Sequence, residues 1–233
     1  TNGSQLVKYA KQLKDSGVNR INISLDTLNP LLFKSLTRIG KVEQVLEGID
    51  AAIEAGIENI KINAVVLKGR NDREIMSLVD YVRSKGINIS FIEEMPLGTV
   101  SSHDRAETYY SSEDILKDIS EVYPLTASDL NTGGPSRYWT MSDRASKIGF
   151  ISPHSNNFCS ECNRVRVTVK GELLLCLGNE NAVDLKQIVR DNDGDVEVLK
   201  QHLLDAMSNK PKEHHFTVDG EVQVVRFMNM TGG

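Results

Sequence analysis

Three cysteines, Cys159, Cys162 and Cys176, are the only ones in the 233-residue chain, and they fall in the order Cys-x2-Cys-x13-Cys. Two thiolates separated by two residues can reach one metal or cluster, because the intervening turn folds both side chains to the same side. The third comes back at hairpin distance. Residues 163–169 (NRVRVTV) alternate and are β-branched, Lys170-Gly171 is a turn pair, and Glu172 to Leu177 reads as a returning strand. No histidine stands within a few residues of either end of this hairpin to complete a tetrahedral zinc site. Three thiolates with an open fourth position suit an iron-sulfur cluster that keeps one iron free for a ligand. Arg164 and Arg166 are one residue apart on the predicted strand, so both point to one face. Two guanidinium forks beside such a centre suit a phosphorylated substrate. The plainer alternatives are a zinc ribbon short of one ligand, or buried thiols in a hairpin.

The remaining composition narrows the classes. With 39% hydrophobic and 25% charged residues, the chain reads as globular and fills one large domain or two small ones. A net charge of −5 weighs against a nucleic-acid binder that works by bulk positive potential. No apolar run approaches the ~20 residues of a membrane span. No signal peptide opens the sequence, so the cytoplasm is the default compartment. An odd number of clustered cysteines favours reduced thiols over disulfides. Thr1-Asn2-Gly3 reads as a turn that should follow a strand, so the sequence is expected to be a piece of a longer protein.

The elements that must position the cysteines come in a repeating order. Residues 4–16 read as an amphipathic helix ended by Gly17, Arg20 to Leu25 as a strand, and Pro30 as the start of a short helix. Residues 41–55 form a helix ended by Gly56, and Lys61 to Leu67 the next strand. Asn71-Asp72 opens a helix ending at Gly86, and Ile87 to Ile92 is a third strand. Helix–strand repeats with strands buried on both faces fit parallel βα units, whose ligands gather at the C-terminal strand ends. Ser24, Asp26 and Glu93 to Met95 occupy such ends. Ser24 could equally be a hydroxyl satisfying backbone, and Met95 ordinary core. Lys61 sits inside its strand, where it needs a negative partner if it points into a barrel, or lies in solvent on an edge strand. A Schiff-base role for it, as in an aldolase, is a weaker alternative.

After Met95 the rhythm breaks. Residues 96–110 read as loop, Ser111 caps a helix, and residues 125–136 read as a polar loop. Ser136 to Met141 and Lys147 to Ile151 read as antiparallel strands, and helices are expected around Asp184 to Arg190 and Asp195 to Met207. His214 and His215 are adjacent, so on a strand they would face opposite ways and not share a metal. The terminal Gly232-Gly233 reads either as a frayed end or as a tail that enters a tight site.

The hairpin F-C-S-E-C-N-R-V-R-V-T-V-K-G-E-L-L-L-C-L, the strands N-I-S-L-D and K-I-N-A-V-V-L-K-G, the segment F-I-E-E-M-P-L-G and the final G-G together resemble one family. They are similar to the molybdenum cofactor biosynthesis protein A family, the radical S-adenosylmethionine GTP 3',8-cyclases, along the whole chain. The resemblance implies an α/β fold: the C-terminal part of an incomplete TIM-type (β/α) barrel over residues 1–97, then an α+β cluster-binding region over 98–233. It implies a lyase that converts GTP to 3',8-cyclo-7,8-dihydro-GTP by S-adenosylmethionine radical chemistry. Cys159, Cys162 and Cys176 match the ligands of a C-terminal 4Fe-4S cluster whose open iron binds the GTP base. Lys61 and the segment Arg164, Val165, Arg166 match GTP contacts. Ser24 and Met95 match S-adenosylmethionine contacts, and Gly232 and Gly233 match a tail that reaches the active site. A homodimer is also implied; no residue is assigned as acid or base. The sequence departs from the family in having no Cys-x3-Cys-x2-Cys motif for the radical-generating N-terminal 4Fe-4S cluster. That second cluster is expected only in the full-length protein, and the chain alone is expected to be inactive. The competing expectation is a non-catalytic zinc- or cluster-stabilised nucleotide-binding module.

Overall fold

The computed structural model describes all residues except 101, 131, 143, 157, 215, 218–223 and 227–233. The described chain forms two compact units, one of residues 1–94 and 107–155, the other of residues 95–106 and 156–233. The expected boundary after residue 97 therefore differs from this division, because residues 107–155 fold with the βα repeats.

In the first unit the elements run α1 (Leu6–Asp15), β1 (Arg20–Ser24), α2 (Pro30–Thr37), α3 (Val42–Glu54), β2 (Asn59–Val66), α4 (Ile75–Lys85) and β3 (Asn88–Glu93). The short helix α5 (Arg105–Thr108) precedes α6 (Ser112–Ser120), β4 (Leu125–Ser128), β5 (Arg137–Met141) and β6 (Arg144–Ile151). Local chemistry fixes the ends. Asn29 caps α2 by accepting from the Leu31 and Leu32 amides, with Pro30 in the first turn. Gly86 stops α4 in the left-handed conformation, at φ 68°.

The six strands make one sheet in the order β1-β2-β3-β6-β5-β4. β1, β2, β3 and β6 are parallel, and β5 and β4 are antiparallel additions. One face is apolar. Ile23, Ile62, Ile89, Phe91, Ile148 and Phe150 meet Ile49, Leu78, Val82, Ile115 and Ile119 from the helices, all buried. The opposite face is polar: the register aligns Ser24, Asn63, Ser90, Gly149 and Tyr138 across five strands.

That polar face is concave. β2 and β5 are three strand spacings apart, roughly 14 Å in a flat sheet. Yet Lys61 Nζ on β2 lies 3.3 Å from the Tyr138 hydroxyl on β5. Arg20 at the β1 edge likewise reaches the Thr132 carbonyl, between β4 and β5, at 3.3 Å. Gly149 permits the tight inner surface, since a Cβ there would collide with the Ser136 hydroxyl and stand 2.7 Å from that of Ser90. The sheet is a curled, open part of a TIM-type barrel, as expected, with β1 and β4 at its edges among the described residues. The backbone of Thr1 bonds to the β1 edge at Asn22 and Ser24.

In the second unit, β7 (Arg166–Val167), β8 (Glu172–Leu174) and β9 (Ala182–Asp184) form a small antiparallel sheet, followed by α7 (Leu185–Asp191) and α8 (Val196–Ser208). The cysteine hairpin is shorter than expected. Only Arg166 and Val167 pair with Leu174 and Leu173, and residues 163–165 and 175–177, at the open end of the hairpin, lie outside the ladder. β4 and β9 are strands the sequence reading missed. Each has three or four residues, too few for an alternation to register. No helix is long and apolar enough to cross a membrane.

Candidate functional site

The cysteine turn begins with a single 3-10 turn, Cys159–Glu161, closed by the Cys162 amide on the Cys159 carbonyl at 3.1 Å. This turn carries the first two thiols. Cys176 follows β8, and its sulfur accepts the Gly178 amide at 3.3 Å. None of the three is in a disulfide. Burial, then the negative fields of Cys176 and Cys162, push Cys159 up to about 11, against a weaker downward pull from His214 and Lys210. Among the described residues, no three His, Cys, Asp or Glu side chains group tightly enough to hold a single metal ion.

A histidine does approach, contrary to the sequence reading. His214 Nδ1 lies 2.7 Å from Cys159 Sγ across 55 residues. No periodicity marks Lys-Glu-His-His-Phe, so only chain closure reveals it. His215 falls outside the described residues, as do Gly232 and Gly233.

Arg164 is exposed and Arg166 half-buried. Burial, then the charge of Arg164, lowers the Arg166 pKa. Arg164 precedes β7, so the two arginines do not share the strand that the sequence pattern suggested. Val165 between them is 38% exposed, an uncovered apolar side chain on the segment.

The first unit carries the other predicted residues except Met95. Lys61 stands on a central strand, which rules out the edge-strand reading. The sequence reading asked for a negative partner, and the partner found is a phenol: the Tyr138 hydroxyl accepts from Nζ. Burial alone would raise the Tyr138 pKa, but bonds and charge from Thr132, Lys61 and Ser136 outweigh it and lower the value. Ser24 is exposed at the end of β1, one row beyond Lys61 in register. Met95 lies in the second unit, half-buried, with its carbonyl accepting the Leu97 amide at 2.7 Å.

Two acidic residues at strand ends are committed to structure. Glu93 is fully buried and accepts the amides of Ser112, His154 and Ser155 at 2.9, 2.9 and 3.1 Å. Asp26 accepts the Val65 amide at 2.8 Å, while Asn71 bonds the Asp26 and Val65 carbonyls, so the ends of β1 and β2 are tied together. Burial raises Asp26 to about 6, against the Val65 bond that lowers it. A carboxyl raised on folding contributes stability below its unfolded value and loses it as pH climbs through about 6. Asp26→Asn keeps an acceptor for Val65 and removes the buried charge. It should raise stability at pH 7–8 by at most about 3 kcal/mol. The difference should vanish near pH 4 in denaturant titrations.

Residues 1–82 match the Radical SAM superfamily model, and residues 87–216 match the Molybdenum Cofactor Synthesis C model. The GTP 3',8-cyclase of Pseudomonas entomophila is 55% identical over 234 residues, covering 100% of this chain and 70% of that protein. The GTP 3',8-cyclase of Saccharophagus degradans is 54% identical over 233 residues with the same coverage. The chain belongs to the GTP 3',8-cyclase family. A third member, GTP 3',8-cyclase 2 of Pseudomonas aeruginosa, is 54% identical over 233 residues, again covering 100% of this chain and 70% of its own. These are radical SAM enzymes, a class that uses a 4Fe-4S cluster and S-adenosylmethionine. The Molybdenum Cofactor Synthesis C match spans the cysteine hairpin, Arg164, Arg166 and His214; the Radical SAM match spans Ser24 and Lys61.

Proposed function

We propose that the chain serves the GTP 3',8-cyclase step of molybdenum cofactor biosynthesis, converting GTP to 3',8-cyclo-7,8-dihydro-GTP with S-adenosylmethionine. Whole-chain identity of 52–55% to relatives of that name carries the reading. The donor set supports a 4Fe-4S cluster on Cys159, Cys162 and Cys176. Cys159 and Cys162 flank one 3-10 turn, the Gly178 amide points at the Cys176 sulfur, and none of the three is tied up in a disulfide. When bound, such a cluster supplies a Lewis-acidic iron with a position open to the purine.

The alternative is a single structural zinc. Zn–S bonds of ~2.3 Å would bring tetrahedral sulfurs within about 4 Å of each other. Iron, sulfide and zinc analysis of the loaded protein decides between the two centres.

Arg164 and Arg166 supply paired guanidinium donors for triphosphate oxygens, with Val165 between them against the nucleotide. Lys61, whose Nζ donates to the Tyr138 hydroxyl, is assigned as a further cation for GTP. The exposed Ser24 hydroxyl and the Met95 backbone are assigned to S-adenosylmethionine. The radical-generating cluster needs cysteines beyond the three in these 233 residues, so turnover belongs to a longer protein. A homodimer and a cytoplasmic site of action complete the reading.

GTP binding to the anaerobically reconstituted chain tests the arginine assignment. One lost charge-assisted hydrogen bond is worth about 1.5–3 kcal/mol, so Arg164→Ala should weaken GTP roughly 10- to 100-fold by calorimetry. Unchanged affinity would remove Arg164 from the site.

A further inference from the structure

The end of α8 and the segment after it fold back onto the cysteine hairpin in three contacts. Ala206, in the last turns of α8, is buried against Leu173 and Leu175. Lys210 Nζ then donates to the Leu175 carbonyl at 2.7 Å, one residue before Cys176. His214 follows, with Nδ1 2.7 Å from Cys159 Sγ. Packing fixes its ring. Phe216 lies 4.1 Å away between centroids, tilted by 47°, and Phe158 6.5 Å away, near edge-on at 68°. Gly178 makes room, since a Cβ there would stand 2.8 Å from the His214 Cβ and 3.2 Å from the Phe216 Cζ.

We infer that His214 is a positioning residue for Cys159, donating its Nδ1–H to the ligand sulfur and so setting the reduction potential of the cluster. The inference rests on the reading that these cysteines hold a cluster. A thiolate bound to iron carries no proton, so of the two atoms in contact only the ring nitrogen can hold the bridging hydrogen. An N–H···S bond favours the reduced cluster, which carries one more negative charge, and hydrogen bonds to sulfur are an established control on cluster potentials. Fixing the ring by aromatic packing orients the donor before the metal arrives. The residue thereby acts through Cys159 and needs no contact with substrate.

The experiment uses the intact chain, whose three cysteines can hold one such cluster and give an uncomplicated signal. Wild type, His214→Phe and His214→Asn are reconstituted anaerobically with iron and sulfide. Iron is counted and the potential measured by EPR-monitored redox titration. Phenylalanine keeps the ring packing and removes the donor, whereas asparagine places an N–H near the Nδ1 position. The expected result is a more negative potential in His214→Phe and a value restored towards wild type in His214→Asn. Equal potentials in all three proteins would overturn the inference, as would His214→Asn shifting as far as His214→Phe. If His214→Phe retains no iron, His214→Asn decides: retention at the wild-type potential supports the role, and loss overturns it. Failure of wild type to take up a cluster would instead defeat the underlying ligand assignment.

Discussion

Alanine at Cys159, Cys162 or Cys176 is expected to reduce the iron held by the reconstituted chain from about four atoms per molecule to a small fraction. Each change removes one of three protein ligands, and two thiolates leave two irons without an anchor from the chain. The effect should extend to folding of the second unit. Its own core is small: among the described residues, Leu173, Leu175 and Ala206 are its buried cluster, with Val183, Leu185 and Leu203 partly covered against it. Burial of an aliphatic side chain is worth about 1.5–3 kcal/mol, so a core of this size leaves ligand binding as a main source of order there. Metal loading should therefore protect residues 156–216 from proteolysis in wild type and not in the alanine variants. The first unit provides the control. Trp139, the single tryptophan, packs edge-on against Phe150 at 4.9 Å, within a separate hydrophobic cluster. Its emission should be the same in all four proteins. An alanine variant with full iron would move the ligands elsewhere, and one tightly held zinc per wild-type chain would favour the zinc reading.

The parts of this arrangement that the sequence exposes are the parts set by local chemistry. Helix stops at Gly56 and Gly86 and the helix start at Pro30 announce themselves, and the cysteine spacing states its ligand geometry within eighteen residues. What escaped notice depends on closure over long distances. The SKIGFI stretch alternates like any half-buried strand, and nothing in it specifies a parallel partner in β3, 59 residues away at the Ile89–Ile148 pair. Lys61 advertised the need for a partner, but the phenol that meets it is 77 residues on and arrives only because the sheet curls. His214 is the clearest case. Its neighbours carry no period, so its approach to Cys159 follows from the packing of α8 on the hairpin. Glu93 misleads in the opposite direction, since a carboxylate at a barrel strand end looks like a ligand contact until the donors it accepts from are counted.

That count makes Glu93→Ala the most destabilising single change expected in the first unit. The carboxylate sits at 0% exposure and satisfies three backbone amides from two separate segments. One of them, the Ser112 amide, belongs to the first turn of α6, where a negative charge also offsets the helix dipole. The Ser155 hydroxyl donates to the same group, so the loop after β6 is pinned to the end of β3. Alanine removes the acceptor of one buried amide and two part-buried ones, at about 1–3 kcal/mol for each that stays away from water. Water entering the space recovers part of the loss, which gives a net cost of about 3–5 kcal/mol, the range for breaking a buried charged network. Glu93→Gln should cost less, because one oxygen remains an acceptor while the new NH2 group faces donors. Denaturation followed by Trp139 emission measures both. A Glu93→Ala protein within 1 kcal/mol of wild type would mean that solvent already satisfies the Ser112, His154 and Ser155 amides, and that the loop after β6 is held by something other than this carboxylate.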